Sequence, residues 1–247
     1  MKFYKADLHT HTVLSPCGDL EMSPVNIVNT AISKGLDIIG VTDHNSALQC
    51  KTIKKVAGQK GVFVLCGLEV TTKEEVHCLA FFEKAEQLDS FSKYIYEHLA
   101  DFPNDPDKFG YQAVVDENEL ILDQPEKLLI SATDLTIESL EKKVHEKGGL
   151  FIPAHIDRVS NGIIGQLGFI PPDLNFDALE LSRFTAYKDF ASKNLQGQDY
   201  TFIQSSDAHY IDDIGSVHTK FYLEEPSFEE IRKALTSTKG RKTELQS

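Results

Sequence analysis

The chain of 247 residues has no tryptophan, only two methionines and only four cysteines. Cys17, Cys50, Cys66 and Cys78 form no CxxC pair. That spacing argues against a cysteine-built metal site, and a chain of this length buries a core without disulfide staples. The four read as reduced, mostly buried thiols of a cytoplasmic protein. No apolar run approaches the ~18 residues of a membrane span. The opening residues Met1-Lys2-Phe3-Tyr4-Lys5-Ala6-Asp7 reach charge before a signal-like segment could form, which disfavours secretion. Positive charge is also scarce: 25 Lys and Arg against 38 Asp and Glu give a net charge of −13. Nucleic-acid binders draw affinity from neutralising phosphates, so this balance disfavours a polyanionic partner, although a metal cluster can supply positive charge locally. Gly and Pro, at 15 and 9, are too few for a collagenous or low-complexity chain.

What is present is a rhythm. Short apolar, β-branched runs lie at residues 3–8, 37–42, 62–68, 77–82, 149–154, 178–182 and 200–205. Most are continuous rather than alternating, which suits parallel strands covered on both faces. Helical patterns lie between many of them. Ser23 is an N-cap before Pro24, with Gly35 as the stop and Val25, Val28 and Ile32 at helical spacing. Leu88, Phe91, Ile95 and Leu99 mark another helix. Thr136 caps a third that ends at Gly148-Gly149, and Ser227 with Glu230 is a capping box opening the last. This alternation predicts an α/β fold, and seven strands favour a barrel or near-barrel over a doubly wound sheet. The whole chain, 1–247, reads as one domain with an insertion at about 101–135. There a turn around Pro103 and Pro106 precedes a β-hairpin formed by residues 113–115 and 120–122, either beside the site or as surface decoration.

The informative residues stand at the strand ends. The first strand ends in Asp7-Leu8-His9-Thr10-His11, and two histidines one residue apart share a face, since strand side chains repeat every two. The second ends in Thr42-Asp43-His44 and the third in Gly67-Leu68-Glu69. The fourth begins with His77. The fifth ends in Ala154-His155-Ile156-Asp157-Arg158, and the last in Ser206-Asp207-Ala208-His209. Asp19 follows the first strand in a turn. Parallel barrels build their active sites at the C-terminal strand ends. Six of the chain's nine histidines fall at such positions. Mixed imidazole and carboxylate ligands suit zinc, manganese or iron rather than calcium. Nine candidate ligands, namely His9, His11, Asp19, His44, Glu69, His77, His155, Asp207 and His209, exceed what one ion can use and suit two or three divalent ions, with Glu69 as the bridge. Asp7 and Asp43 sit where a carboxylate could orient a ligand imidazole or bond to strand-end backbone. His98 and His145 read as surface histidines, and His218 stands outside the site. Arg158 and Arg183 are candidate phosphate clamps, with surface ion pairs as the alternative.

The runs DLHTHT, VTDH, GLEVTT with His77 behind it, PAHIDR and SSDAH resemble, in order and over nearly the whole chain, the polymerase and histidinol phosphatase (PHP) family. The resemblance is closest to its small stand-alone phosphoesterases. It implies a distorted seven-stranded (β/α)7 barrel with a trinuclear metal centre. It places His9, His11, Glu69 and Asp207 on a first metal, Glu69, His77 and His155 on a second, and Asp19, His44 and His209 on a third. Family members that carry a third histidine in the first motif differ here: the chain offers Asp19, a hard oxygen ligand.

The expected activity is hydrolysis of a small phosphorylated metabolite or nucleotide by a hydroxide bridging two metals, which needs no Ser or Cys nucleophile. Glu69, Asp207 and His209 would be catalytic, with Arg158 and Arg183 fixing the phosphoryl group. Two alternatives remain. A 3′–5′ exonuclease would need a basic or aromatic groove at the site mouth. A non-catalytic metal-bound module would hydrolyse no phosphoester.

Overall fold

The computed structural model describes residues 1–58, 60–194 and 200–246. In chain order the strands are β1 (Lys2–Asp7), β2 (Ile38–Val41), β3 (Phe63–Thr71), β4 (His77–Phe81), β5 (Val114–Val115), β6 (Ile121–Asp123), β7 (Leu150–Pro153), β8 (Leu179–Leu181), β9 (Phe202–Gln204), β10 (Thr219–Leu223) and β11 (Lys242–Glu244). The helices are α1 (Pro24–Ser33), α2 (Cys50–Ala57), α3 (Ala85–His98), α4 (Pro106–Phe109), α5 (Ile137–Glu146), α6 (Ile163–Leu167), α7 (Tyr187–Asn194) and α8 (Phe228–Leu235).

Seven strands form one curled sheet in the order β11-β10-β1-β2-β3-β4-β7, while β8 and β9 form a separate parallel pair. The gap between sheet and pair is bridged on both sides. Ile156 N–H donates to the Glu180 carbonyl next to β7, and His11 N–H donates to the Ala208 carbonyl past β9. Together β1, β2, β3, β4, β7, β8 and β9 close a distorted (β/α)7 barrel, and each corresponds to one of the seven apolar runs. Strands β10 and β11 lie outside that ring. β10 pairs antiparallel with β1 from Lys2↔Leu223 to Ala6↔Thr219. Its alternation of buried and half-buried residues is that of a strand covered on one face.

The sheet is less parallel than the continuous apolar runs suggest. β4 runs antiparallel to both β3 and β7, in register Thr71↔His77 and Cys78↔Pro153. A five-residue connection between β3 and β4, 72–76, is too short for the crossover a parallel return requires, so the chain makes a hairpin. This reversal decides where His77 points. The first residue of β4 lies beside the last residue of β3, at the same end of the barrel as the C-termini of the parallel strands.

Helix α1 starts where Ser23 Oγ accepts the Asn26 N–H at 3.3 Å and stops at Gly35, whose φ of +69° favours glycine. Its buried face is Pro24, Ile27, Val28 and Ala31, while Ile32 is 43% exposed. The buried stripe therefore keeps Val28 but holds Pro24 and Ala31 where the sequence pattern offered Val25 and Ile32. α3 buries Leu88, Phe91 and Ile95, and Leu99 just beyond it is buried too. Between α3 and α5, β5 and β6 form a small antiparallel hairpin. It is docked by Gln49, which donates to the Val115 carbonyl and accepts the Val115 N–H. Among the described residues no helix is long and apolar enough to cross a membrane.

Candidate metal centre

Glu69 stands at the centre of the barrel mouth with no exposure to solvent. Five histidines crowd its carboxylate. Oε1 lies 2.9 Å from His77 Nδ1, 3.1 Å from His155 Nε2 and 3.3 Å from His9 Nε2, while Oε2 lies 3.1 Å from His44 Nδ1 and 3.4 Å from His11 Nε2. Asp207 Oδ1 closes the group at 3.4 Å from both His9 and His11 Nε2. His209 stacks on His11 with ring centroids 4.1 Å apart. The convergence follows from the fold: HxH just past β1 brings two imidazoles to the mouth, and the β3–β4 hairpin brings Glu69 and His77 to the same end. His155 and Asp207, at the ends of β7 and β9, adopt positive φ of 28° and 50°. Such backbone costs about 1–3 kcal/mol per residue and persists where the surroundings enforce it.

The imidazoles are held from behind. His9 Nδ1 donates to Glu180 Oε2 at 2.8 Å, and the same oxygen accepts the His155 N–H at 3.1 Å. Asp43 Oδ1 accepts from Ser15 Oγ at 2.7 Å, so Ser15 Oγ is left to accept from His11 Nδ1 at 3.0 Å and from the His44 N–H at 3.2 Å. Both hydrogen bonds fix the Nδ1–H tautomer and leave Nε2 of His9 and of His11 as lone pairs. Those two Nε2 atoms face each other at 3.2 Å. Two nitrogens that close repel unless a proton or a metal cation lies between them.

The site's electrostatics carry the same demand. Burial disfavours charge on His9, yet Glu180, Glu69 and Asp207 outweigh it and hold its pKa well above that of free imidazole. His11, buried and next to His209 and His44, is held well below. His44 is pushed up to about 10 because Glu69 and Cys17 overcome its burial. Glu69 is kept ionised, as His77, His9 and His44 outweigh the cost of burial. His44 Nδ1, Glu69 Oε2 and His155 Nδ1 are buried with no hydrogen-bond partner among the described residues. His44 Nδ1 and Glu69 Oε2 are close neighbours whose alignment makes no bond. Three donor groups, His9-His11-Glu69, His44-Glu69-His77 and His11-His44-His209, each bring their ligand atoms within 4.8 Å of one another. Buried nitrogen and carboxylate donors in overlapping sets fit divalent ions sharing one carboxylate.

Asp19 stands apart from these groups. Its Oδ1 accepts the Glu21 N–H at 2.8 Å and closes a turn, while its N–H donates to the His209 carbonyl. The residue of that turn that lines the cavity beside His209 is Cys17, an exposed cysteine. Desolvation of its thiol raises its pKa, but the His209 and His44 imidazoles prevail and bring it to about 6. A lone cysteine in a turn carries no spacing signal, so the sequence reading passed over it. Glu180 was missed as well, although a carboxylate in the middle of the buried run Leu179-Glu180-Leu181 requires a partner. Of the two aspartates left open, Asp43 reaches His11 through Ser15. Asp7 instead accepts from the N–H groups of Ser206 and Gly215 and from Ser206 Oγ, and burial lifts its pKa to about 6. His145 is less of a surface histidine than it reads, being half-buried between Glu141 and Asp177.

A cavity of about 260 Å³ opens onto the cluster, lined by Cys17, His155, Asp207 and His209 on the metal side. Arg158 and Arg183 line its outer wall. Arg158 pairs with Asp207 Oδ2 at 2.8 Å, and Arg183 with Asp213 at 3.0 Å. Asp157 accepts from the N–H and Oγ of Ser182, which fixes the loop carrying Arg183 and Phe184 over the opening. Phe184 and Tyr210, 80% and 58% exposed, flank the same mouth.

The PHP domain pattern matches residues 7–162, and a PHP-associated pattern matches residues 188–239. The chain belongs to the PHP domain family. The uncharacterised protein YqxK of Bacillus subtilis (strain 168) is 35% identical over 109 residues, 42% of this chain and 28% of YqxK. The lesion-specific endonuclease PfuEndoQ from Pyrococcus furiosus is similar in fold, with TM-score 0.75 and 22% identity across 98% of this PHP chain and 57% of the endonuclease. A candidate metal-dependent phosphoesterase from Bifidobacterium adolescentis is similar in fold over nearly its whole length, with TM-score 0.58, 18% identity, and coverage of 94% of this chain and 95% of that one. The chain thus spans little more than half of the endonuclease and about a quarter of YqxK. The argument from charge made nucleic acid an unlikely partner; the likeness in fold to an endonuclease solved with a duplex substrate takes the force out of that argument and leaves nucleic acid open.

Proposed function

We propose that the protein is a metal-dependent phosphoesterase acting on a small phosphorylated metabolite or nucleotide. The observation that carries this reading is the buried Glu69 carboxylate, ringed by five imidazole nitrogens at 2.9–3.4 Å under a cavity walled by two arginines. His9, His11, Glu69 and Asp207 would hold one divalent ion and Glu69, His77 and His155 a second, with His44 and His209 contributing to a third. Bound manganese, iron or zinc supplies Lewis acidity and lowers the pKa of coordinated water to about 7 in favourable cases. The chain does the rest. Glu180, and Asp43 through Ser15, hold the ligand imidazoles in one tautomer. Arg158 and Arg183 offer guanidinium forks to phosphoryl oxygens once substrate competes for their aspartate partners. His209 and Asp207, on the cavity wall, are placed to meet the leaving group. The cavity suits a phosphoryl group with a small substituent. Four free thiols fit a cytoplasmic setting.

A second reading has its own observation. Exposed Phe184 and Tyr210 beside Arg158 and Arg183 form the aromatic and basic mouth that a nuclease needs to hold single-stranded substrate.

The test is metal-free protein reconstituted in turn with manganese, iron and zinc. It is assayed for phosphate release from nucleoside monophosphates and p-nitrophenyl phosphate, and for cleavage of single-stranded and abasic duplex DNA. Small-ester turnover that vanishes in Glu69→Gln supports the first reading, and DNA cleavage without ester turnover supports the second. Metal-replete protein inert on the whole panel, or Glu69→Gln keeping near-normal turnover, overturns both.

A further inference from the structure

The loop after β1 is folded tightly by its own backbone. Ser15 N–H donates to the Thr12 carbonyl at 3.0 Å, Gly18 N–H to Ser15 at 2.8 Å and Met22 N–H to Asp19 at 3.0 Å. The loop is pinned across the barrel by Asp19 N–H donating to the His209 carbonyl at 2.9 Å. This geometry turns the Asp19 carboxylate away, onto the Glu21 N–H, and leaves Cys17 as the residue of the loop that lines the site cavity. Cys17 shares the cavity wall with Asp207 and His209, whereas Cys50, Cys66 and Cys78 are buried elsewhere.

A second observation is independent of the cysteine. His11, His44 and His209 bring their donor atoms within 4.8 Å of one another, with ring centroids 4.1 Å apart for His11 and His209 and 4.5 Å for His11 and His44. His44 is 6% exposed, and its Nδ1 has no hydrogen-bond partner among the described residues. Imidazoles gathered so closely, one with an orphaned buried nitrogen, mark a cation position; Glu69 borders it at 3.1 Å from His44 and Asp207 at 3.7 Å from His209, and the Cys17 thiol can add a further anionic donor from the loop side of the cavity.

We propose that Cys17 is a ligand of the third cation, binding as thiolate beside His44 and His209 in the place the sequence reading gave to Asp19. This rests on the metal-dependent reading of the site. As the sulfur–metal bond forms, the S–H proton leaves to solvent. A sulfur donor changes the character of that position: it favours zinc or ferrous iron over manganese, and it makes the ion's retention sensitive to thiol oxidation or alkylation. Cys17 is exposed, so its thiol is open to such reagents in metal-free protein.

Metal-free protein titrated with cobalt(II) provides the test, followed by near-ultraviolet absorption and metal counting on wild type and Cys17→Ser. The expected result is a thiolate-to-cobalt charge-transfer band in wild type that is absent from Cys17→Ser, with the last ion bound at least about ten-fold more weakly by the variant. A second measurement needs no variant: saturating zinc should slow iodoacetamide labelling of Cys17, followed by peptide mass spectrometry, by about ten-fold or more. Cobalt bound to wild type without the band, or a labelling rate unchanged by zinc, overturns the assignment of Cys17 and leaves the phosphoesterase reading standing. Protein that binds no metal at all overturns both.

Discussion

Ser15 looks like an ordinary loop serine, yet it joins a buried carboxylate to the His11 imidazole. Its hydroxyl donates to Asp43 and accepts from His11 and from the His44 backbone. Ser15→Ala removes one of the two bonds to Asp43 Oδ1, which keeps the Thr12 N–H at 2.7 Å, and leaves His11 free to take the other tautomer, which would turn a proton toward the cation. Metal affinity is expected to fall about 10–100-fold, the usual cost of losing such support, with the fold retained. Competition against a chromophoric chelator measures it, and an unchanged affinity would show that His11 is oriented by packing alone. The histidines themselves were legible because strand periodicity is local: HxH puts two rings on one face whatever the rest of the chain does. Cys17 was not legible, because its direction is set by a hydrogen bond to His209, nearly two hundred residues away. Glu180 lies between these cases. Its signal was a charge inside an apolar run, but nothing nearby in sequence names His9 as its partner.

Among the elements, most strands and helices could be read from apolar period and caps, since those features report local burial. Strand direction could not. Nothing in the residues of β4 states that it runs against β3; only the short connection does. The last helix shows how a sequence signature can be half right. Ser227 caps α8 by accepting the Glu230 N–H at 3.3 Å, but the Glu230 carboxylate does not return the bond. It binds Arg241, Lys233 and the Glu224 N–H instead, tying α8 to the segment before β11. Hydrogen bonds from Arg241, above all, draw its pKa down from 4.5 to about 2. Because the folded value is the lower one, the stabilisation is complete above pH 4.5 and is lost as pH falls toward 2. Glu230→Gln should therefore cost of order 2 kcal/mol near neutrality, a typical value for charge-assisted hydrogen bonds. That deficit should shrink through the acid range, as read by urea denaturation at a series of pH values. A deficit independent of pH would assign the effect to packing.

At the scale of the whole molecule, an acidic surface surrounds a mouth with two arginines. If DNA binds there, Arg158 and Arg183 neutralise about two phosphates, so log K should fall with log salt at a slope of only about −1.4 for single strands. Fluorescence anisotropy of a labelled oligonucleotide across a salt series measures this. A slope several times steeper would reveal a basic track elsewhere on the protein.

The barrel is sealed at the bridge between Thr10 and Ala208, where the two ends of the ligand series meet. During synthesis, His9 and His11 leave the ribosome long before Asp207 and His209 are made. A half-built chain owns most of the imidazoles but no closed pocket: arrested before residue 207, it would lack Asp207, His209 and the Thr10–Ala208 bridge that brings the two ends of the barrel together.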